Sequence, residues 1–234
     1  MKPYMLCEVV KETPDVNTVK FRPLDGERVA FDPGMFVMIT LVSPQSGEKV
    51  TRAFSIASAP ESEVLEFEIH MIKGRFTAPL EEAKIGDMFY ITGPYGQFKF
   101  LPDAEKKVLF LAGGTGIAPF LSMLRQIKNL GKKTDIALVY SVRLPNEIIC
   151  REELERYTKE LGMRMLVTVT RPQDGDGWTG QTGHIDAAMV SRFAADAPER
   201  TCYICGPLPF VKAVKAGLGS LNVAPEKVKA DVWG

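Results

Sequence analysis

The segment Gly113-Gly114-Thr115-Gly116-Ile117-Ala118-Pro119 directly follows the apolar run Val108–Ala112 and opens a helical pattern from about Pro119 to Leu130. A strand that turns through glycines into a helix is the first step of a parallel βαβ unit, so it commits the surrounding chain to an α/β sheet. Glycine permits the sharp turn and a close backbone approach, and the unpaired N–H groups of the helix start offer donors and positive potential to a phosphate. Pro119 suits the first helical turn, where its missing N–H would have no partner anyway. The pattern departs from G-x-G-x-x-G, because Pro119 takes the place of the third glycine and no acidic residue follows at the ribose-binding distance. The segment alone speaks for a phosphate and names no nucleotide; a glycine-rich turn without a ligand is the plain alternative.

The same alternation continues downstream. Ile136–Tyr140 precedes a helical stretch from about Glu147 to Leu161, and Met165–Val169 follows. A helix near His184 to Ala195, the strand Cys202–Cys205, a helix near Pro209 to Leu218 and a last strand Val228–Trp233 complete the pattern. Upstream the periodicity differs. Phe36–Val42, Val64–Met71 and Met88–Thr92 are short runs rich in β-branched and aromatic residues, set between the turn formers Asp32-Pro33-Gly34, Ser43–Gly47 and Gly93–Gly96, as in an antiparallel barrel or sandwich. The charged stretch Pro102–Lys107 is the natural linker. The expected architecture is an N-terminal antiparallel β-barrel over residues 1–102, followed by a parallel-sheet, Rossmann-like nucleotide domain over 103–234.

Composition narrows the function. The 234 residues carry 29 Lys+Arg against 29 Asp+Glu, which leaves no basic surplus for nucleic acid or a polybasic membrane patch. Glu8 and Lys11 interrupt the N-terminus before a signal peptide could form, and glycines with Pro119 break the most apolar region, so neither secretion nor a membrane span is expected. Four scattered cysteines suit a reducing cytoplasm better than a disulfide scaffold. Cys202-x-x-Cys205 could be a redox or metal pair, but residues three apart on a strand face opposite ways, and no second pair completes a zinc site. No metal is expected.

Ligands of an open parallel sheet bind at the carboxyl ends of its strands. Thr170-Arg171 and Cys205-Gly206-Pro207 lie at two such ends, beside the glycine segment. In the barrel half, Arg52-Ala53-Phe54-Ser55-Ile56-Ala57-Ser58 puts a cation, an aromatic ring and hydroxyls within one strand length. A guanidinium can clamp phosphate oxygens, and a hydroxyl near an aromatic can bond a flavin ring; a solvated arginine and a core phenylalanine would look the same.

Taken in order, these segments resemble the ferredoxin:NADP reductase superfamily over nearly the whole chain. Arg52-Ala53-Phe54-Ser55 matches its flavin motif, Lys73–Leu80 its flavin-phosphate motif and Gly93–Gly96 its domain-joining turn. Gly113–Pro119 matches its nicotinamide-nucleotide loop, Tyr203–Pro207 its strand-end cysteine motif, and Asp231-Val232-Trp233 its acid-x-aromatic terminus. The resemblance implies FAD, favoured over FMN, with NADPH or NADH as substrate. It implies that Arg52 pairs with the flavin pyrophosphate while Ala53 and Phe54 flank the ring and Ser55 lies near flavin N5. Backbone groups of Ile69, His70 and Met71 would edge the flavin; Gly74, with N–H donors at Phe76 and Thr77 where a short helix starts, would meet its phosphates. Gly113, Gly114, Thr115 and Gly116 would hold the nucleotide pyrophosphate, with Thr170 and Arg171 near its far end and Cys205, Gly206 and Pro207 beside the nicotinamide. Trp233 would stack on the flavin as a gate, and Asp231 would be the acidic partner of Ser55 and Cys205.

Two departures stand out: Phe54 replaces the tyrosine many members carry, and Gly234 extends past the aromatic position. Arg171 offers a cation to a 2′-phosphate and tilts the choice toward NADPH, although Asp174 and Asp176 lie close. Asp231, Ser55, Cys205 and Trp233 are the expected catalytic set, and His70 and His184 are expected to be structural. Four scattered cysteines fit no iron–sulfur spacing, so the electron partner is expected to be external, such as a ferredoxin. A free-flavin or small-acceptor reductase and a non-catalytic flavin- or nucleotide-binding subunit of a larger redox complex are the alternatives.

Overall fold

The computed structural model describes residues 1–42 and 47–233, with the backbone alone for Trp233. The turn read at Ser43–Gly47 falls, up to Ser46, outside the described residues, as does Gly234. The first sheet is antiparallel, with β1 (Lys2–Lys11), β2 (Val16–Pro23), β3 (Phe36–Val42), β4 (Lys49–Ser55), β5 (Leu65–His70) and β6 (Met88–Tyr95) in the order β4-β3-β6-β1-β2-β5. A short helix, α1 (Thr77–Glu82), joins β5 to β6. The second sheet is parallel, with β7 (Lys107–Gly113), β8 (Asp135–Val142), β9 (Arg164–Val169), β10 (Gln181–Thr182), β11 (Thr201–Pro207) and β12 (Val228–Trp233) in the order β10-β9-β8-β7-β11-β12. Helices α2 (Ala118–Asn129) and α3 (Arg151–Glu160) pack on one face, α4 (Ala187–Phe193) and α5 (Leu208–Ser220) on the other.

Period-2 alternation builds both cores. In the antiparallel sheet Tyr4, Leu6, Val19, Phe21, Val37, Ile39, Phe67 and Phe89 point into one cluster, where the Phe21 and Phe89 rings meet edge to face at 4.9 Å. In the parallel sheet both faces are covered, so β7 reads as an unbroken apolar run: Phe110 faces α2 while Leu109 and Leu111 face α4 and α5. The same alternation sends Cys205 to one face and Cys202 to the other, and both are free thiols.

Several elements differ from the sequence expectation. β1 and β2 are long strands that its apolar runs do not delineate, because a bulge between Leu6 and Glu8 interrupts the alternation and leaves Val9 and Val10 exposed. The helix expected from Glu147 begins only at Arg151. Ile148 and Ile149 are buried in the core instead, and Cys150 adopts a left-handed conformation (φ 50°) while its N–H donates to a Glu12 carboxylate at 2.6 Å. The helix expected from His184 starts at Ala187, where the Asp186 carboxylate accepts the Met189 N–H at 2.7 Å and caps the first turn.

The two sheets are joined by one buried cation. Arg125, on α2, donates to Glu153 on α3 through Nε and Nη2 at 2.9 and 2.7 Å. Its Nη1 donates to the Ala57 carbonyl at 2.8 Å and to Glu66 of β5 at 2.5 Å. Beside it the Ser122 hydroxyl donates to the Ser58 carbonyl at 2.7 Å. Removing the guanidinium would leave two largely buried carboxylates with weaker support, Glu66 with the Lys20 ammonium at 3.6 Å and Glu153 with the Tyr157 hydroxyl at 2.6 Å. Arg125→Met is therefore expected to lower unfolding free energy by about 3–5 kcal/mol, measured by urea denaturation; a change below about 1 kcal/mol would show that the junction does not depend on this cation.

Candidate active site at the junction of the two sheets

The strand β5 sets the geometry. Leu65, Phe67 and Ile69 fill the first core, so Glu66, Glu68 and His70 point from the opposite face toward the second sheet. The backbone follows the same parity. Glu66 exchanges its N–H and C=O with the Ser58 hydroxyl and the Ala57 N–H, on the edge away from β2, whereas the Met71 N–H donates back to the Asp15 carbonyl at 2.8 Å. Of the Ile69, His70 and Met71 backbone groups expected to edge a flavin, those of Ile69 therefore face its β2 partner Asn17, and the Met71 N–H is committed to the loop before β2. The outer-edge groups at this point are those of His70.

A cleft of about 390 Å3 opens against this face. One wall is Arg52, Ala53, Phe54 and Ser55 of β4; another is Gly74, Arg75, Phe76 and Thr77 leading into α1; Glu68, His70, Thr115 and Ala118 close it. The Phe54 ring packs on Phe76 at 5.2 Å. The Gly74 N–H donates to the Thr77 hydroxyl at 2.9 Å, fixing the turn into α1. Arg52 is exposed and its guanidinium bonds only the neighbouring Thr51 carbonyl among the described residues, while Arg75 pairs with Glu48. An aromatic wall, an exposed guanidinium and a helix start around one cleft suit a planar ring joined to a diphosphate.

A second cavity of about 320 Å3 lies at the carboxyl ends of β7, β8, β9 and β11. Gly113, Gly114 and Thr115 line it with Ser141, Arg143, Thr170 and Pro207, and Asp15 and His70 reach it from the first sheet. Thr115 and His70 line both cavities, so the two spaces share a wall. Gly114 makes the turn with φ 55°. Gly116 serves packing instead: a Cβ there would lie 2.2 Å from the Cys205 carbonyl oxygen, so its lack of a side chain lets the loop seat on β11. Pro119 sits in the first turn of α2, as expected.

Ser55, Cys205 and Asp231 come together. Asp231 stands opposite Cys205 in the β11–β12 register; its carboxylate accepts the Val232 N–H at 3.2 Å and lies near the Ser55 hydroxyl, which favours its ionised form. Burial raises the Asp231 carboxyl above the usual range, partly offset by those two groups. Cys205 is fully buried, and burial followed by the Asp231 charge pushes its thiol well up, so it is a neutral packing group. On β12 Trp233 is in register with Pro207; the gate expected of its side chain falls outside the described residues. Gly206 is buried beneath the second cavity and Arg171 is exposed beside it, its N–H bonding the Arg143 carbonyl at 2.9 Å; neither is among the lining residues.

The lining cation that sequence reasoning passed over is Arg143. It bonds Asp15 at 2.8 Å and Glu147 at 2.9 Å, and Asp15 in turn meets His70 at 2.9 Å. The strand-end rule that singled out Arg171 after β9 finds Arg143 after β8 when applied there. No such rule leads to Asp15 or Glu68.

Comparison with known proteins agrees with this geometry. Residues 3–100 match the family described as Oxidoreductase FAD-binding domain, and residues 110–216 match Oxidoreductase NAD-binding domain. Ferredoxin–NADP reductase B of Sorangium cellulosum is 30% identical, over 94% of this chain and 92% of that protein. The chain belongs to the ferredoxin:NADP reductase superfamily. Another member, the glycine betaine monooxygenase reductase subunit of Chromohalobacter salexigens, is 33% identical over 96% of this chain. The chain spans 65% of that relative's length. The cytochrome b5 reductase domain of Ulva prolifera nitrate reductase shares the family fold, with a TM-score of 0.87 at 25% identity, over 98% of this chain and 97% of that one. Among the described residues no helix is long and apolar enough to cross a membrane.

The packing role of Gly116 is testable. Gly116→Ala is expected to cost about 1–3 kcal/mol in urea denaturation, because β11 backbone must move. Gly219→Ala, where a Cβ meets nothing within 4 Å, is expected to change stability by less than about 1 kcal/mol.

Proposed function

We propose that the protein moves hydride between NAD(P)H and bound FAD, and single electrons between that flavin and an external carrier such as a ferredoxin. The carrying observation is the wall that Thr115 and His70 share between the β4–α1 cleft and the strand-end cavity, which supports a nicotinamide and a flavin meeting without crossing solvent. FAD supplies the chemistry, accepting two electrons as hydride and passing them on singly. On this reading residues 1–102 carry the flavin and 103–234 the nucleotide, in a reducing cytoplasm that the free cysteines suit.

The chain's own residues bind, orient and exclude water. Arg52 clamps the flavin diphosphate and Phe54 lies along its ring, while the Thr77 end of α1 adds N–H donors. Ser55 presents its hydroxyl toward the hydride path, and Asp231 fixes that hydroxyl by accepting its hydrogen. Gly113, Gly114 and Thr115 receive the nucleotide pyrophosphate; Thr170, with Arg171 and Arg143 beside it, meets the adenosine end. Cys205 and Gly206 form the packed floor behind the nicotinamide, and Pro207 its rim. The oxygenase reductase among the relatives supports a protein redox partner over a small acceptor.

Anaerobic stopped-flow mixing of the flavin-loaded protein with NADPH, and separately with NADH, is expected to bleach the flavin, and the ratio of rates identifies the preferred nucleotide. Absence of bleaching with both would sink the proposal. Arg52→Ala is expected to weaken FAD binding roughly ten- to hundredfold, seen as flavin lost on gel filtration; full retention would show that another group clamps the diphosphate.

A further inference from the structure

Glu68 lines the cleft assigned to the flavin, and no step above uses it. It is 5% exposed. One oxygen accepts a 2.8 Å hydrogen bond from the Thr18 hydroxyl, and the other lies 3.8 Å from the Cys150 thiol. Arg125 spends its bonds on Glu66, Glu153 and the Ala57 carbonyl, so Glu68 has no ion pair among the described residues. The charged and titratable groups around it come from every side: Glu66 on its own strand, Arg125 on α2, Glu12 before β2, Cys150 before α3 and Tyr140 on β8. Across the cleft stand Arg52 and Arg75, and His70, paired with Asp15, shares its wall with Glu68.

A buried carboxyl without a counter-ion is shifted toward its neutral acid form. Burial pushes Glu68 up to about 7; the Thr18 bond and the Arg125 charge pull it down, while Glu66 and Glu12 add to the rise. Glu68 is thus balanced between its two forms where the cleft's contents change charge.

We propose that Glu68 is the proton store of the flavin cleft, taking one proton from solvent when negative charge enters and releasing it when that charge leaves. The inference rests on the flavin reading of the cleft. A hydride brings two electrons and one proton, the nicotinamide leaving as its oxidised cation, so the cleft gains one negative charge. Added negative charge favours the acid form of a nearby carboxyl. The Glu68 carboxylate then binds one solvent proton, which balances the charge with no further oxidant or reductant. Glu68 acts through the field it sets, as a positioning residue.

The sign follows from the two forms. Below the Glu68 transition that carboxyl already holds its proton, and two-electron reduction takes up only the one proton equivalent to the hydride's; above it, reduction takes up a second. Spectroelectrochemical titration of the holoprotein from pH 5.5 to pH 9 should show the midpoint potential falling up to twofold more steeply with pH above about 7 than below it. Glu68→Gln should give one slope throughout. Thr18→Val, which removes the bond favouring the ionised form, should move the break to higher pH. Reduced-minus-oxidised infrared spectra above the break should show a new protonated-carboxyl band in the wild type and none in Glu68→Gln. A wild type without a break, or a Glu68→Gln protein that keeps one, overturns the proposal. A purified protein that binds no FAD overturns the flavin reading itself, and a full flavin complement with an unbroken slope overturns only the role of Glu68.

Discussion

The Arg125 guanidinium is the interaction on which the rest depends. It is anchored on the helix that leaves the glycine turn, and it holds the β5 carboxylate Glu66 and the Ala57 carbonyl just past the β4 motif. One rigid side chain therefore relates the segment carrying Arg52 and Ser55 to the segment carrying Thr115. A planar fork of donors can do this where a lysine could not, because five N–H groups in fixed geometry reach three partners on different elements at once. The Ser122–Ser58 bond one turn earlier sets a second point, and two separated points fix an orientation that one would leave free to pivot.

β5 converts that orientation into chemistry. Its inward residues belong to the barrel core, and its outward residues form a row, Glu66, Glu68, His70, spaced by the strand repeat. Each member meets a different environment. Among the described residues Glu66 receives the buried cation, Glu68 receives only the Thr18 hydroxyl and a thiol, and His70 receives Asp15, which also holds Arg143 of the second sheet. One strand thus presents a paired carboxylate, a solitary carboxyl and an imidazole in sequence along a single interface. What distinguishes Glu66 from Glu68 is the reach of Arg125, since the two share residue type, strand and face.

Much of the fold was legible because its signals are local. An unbroken apolar strand followed by glycines and a helix with an early proline can be read without knowing what packs on it, and β7 with α2 appears where the sequence places it. The elements that were misread are those decided by contacts far away in sequence. The helix after β8 starts late because Ile148 and Ile149 find the core and Glu12, more than a hundred residues earlier, takes the Cys150 N–H. β1 is hidden by a bulge that moves its valines to the surface.

The site divides along the same line. Arg52, Ser55 and the glycine turn announce themselves by short motifs, since the tasks proposed for them require particular residue types close together in sequence. Gly116 was legible as a glycine but not for its reason, because the atom it makes room for belongs to β11. Asp15, Glu68 and Arg143 carry no motif at all; each is an ordinary charged residue until the sheets are docked. Their properties then come from the absence or presence of a partner on another element, and that is a quantity no window of sequence contains. A carboxyl at position 68 with a cation within reach would be an ordinary ion pair, and the same carboxyl out of hydrogen-bond reach of Arg125 is pushed by burial toward its acid form.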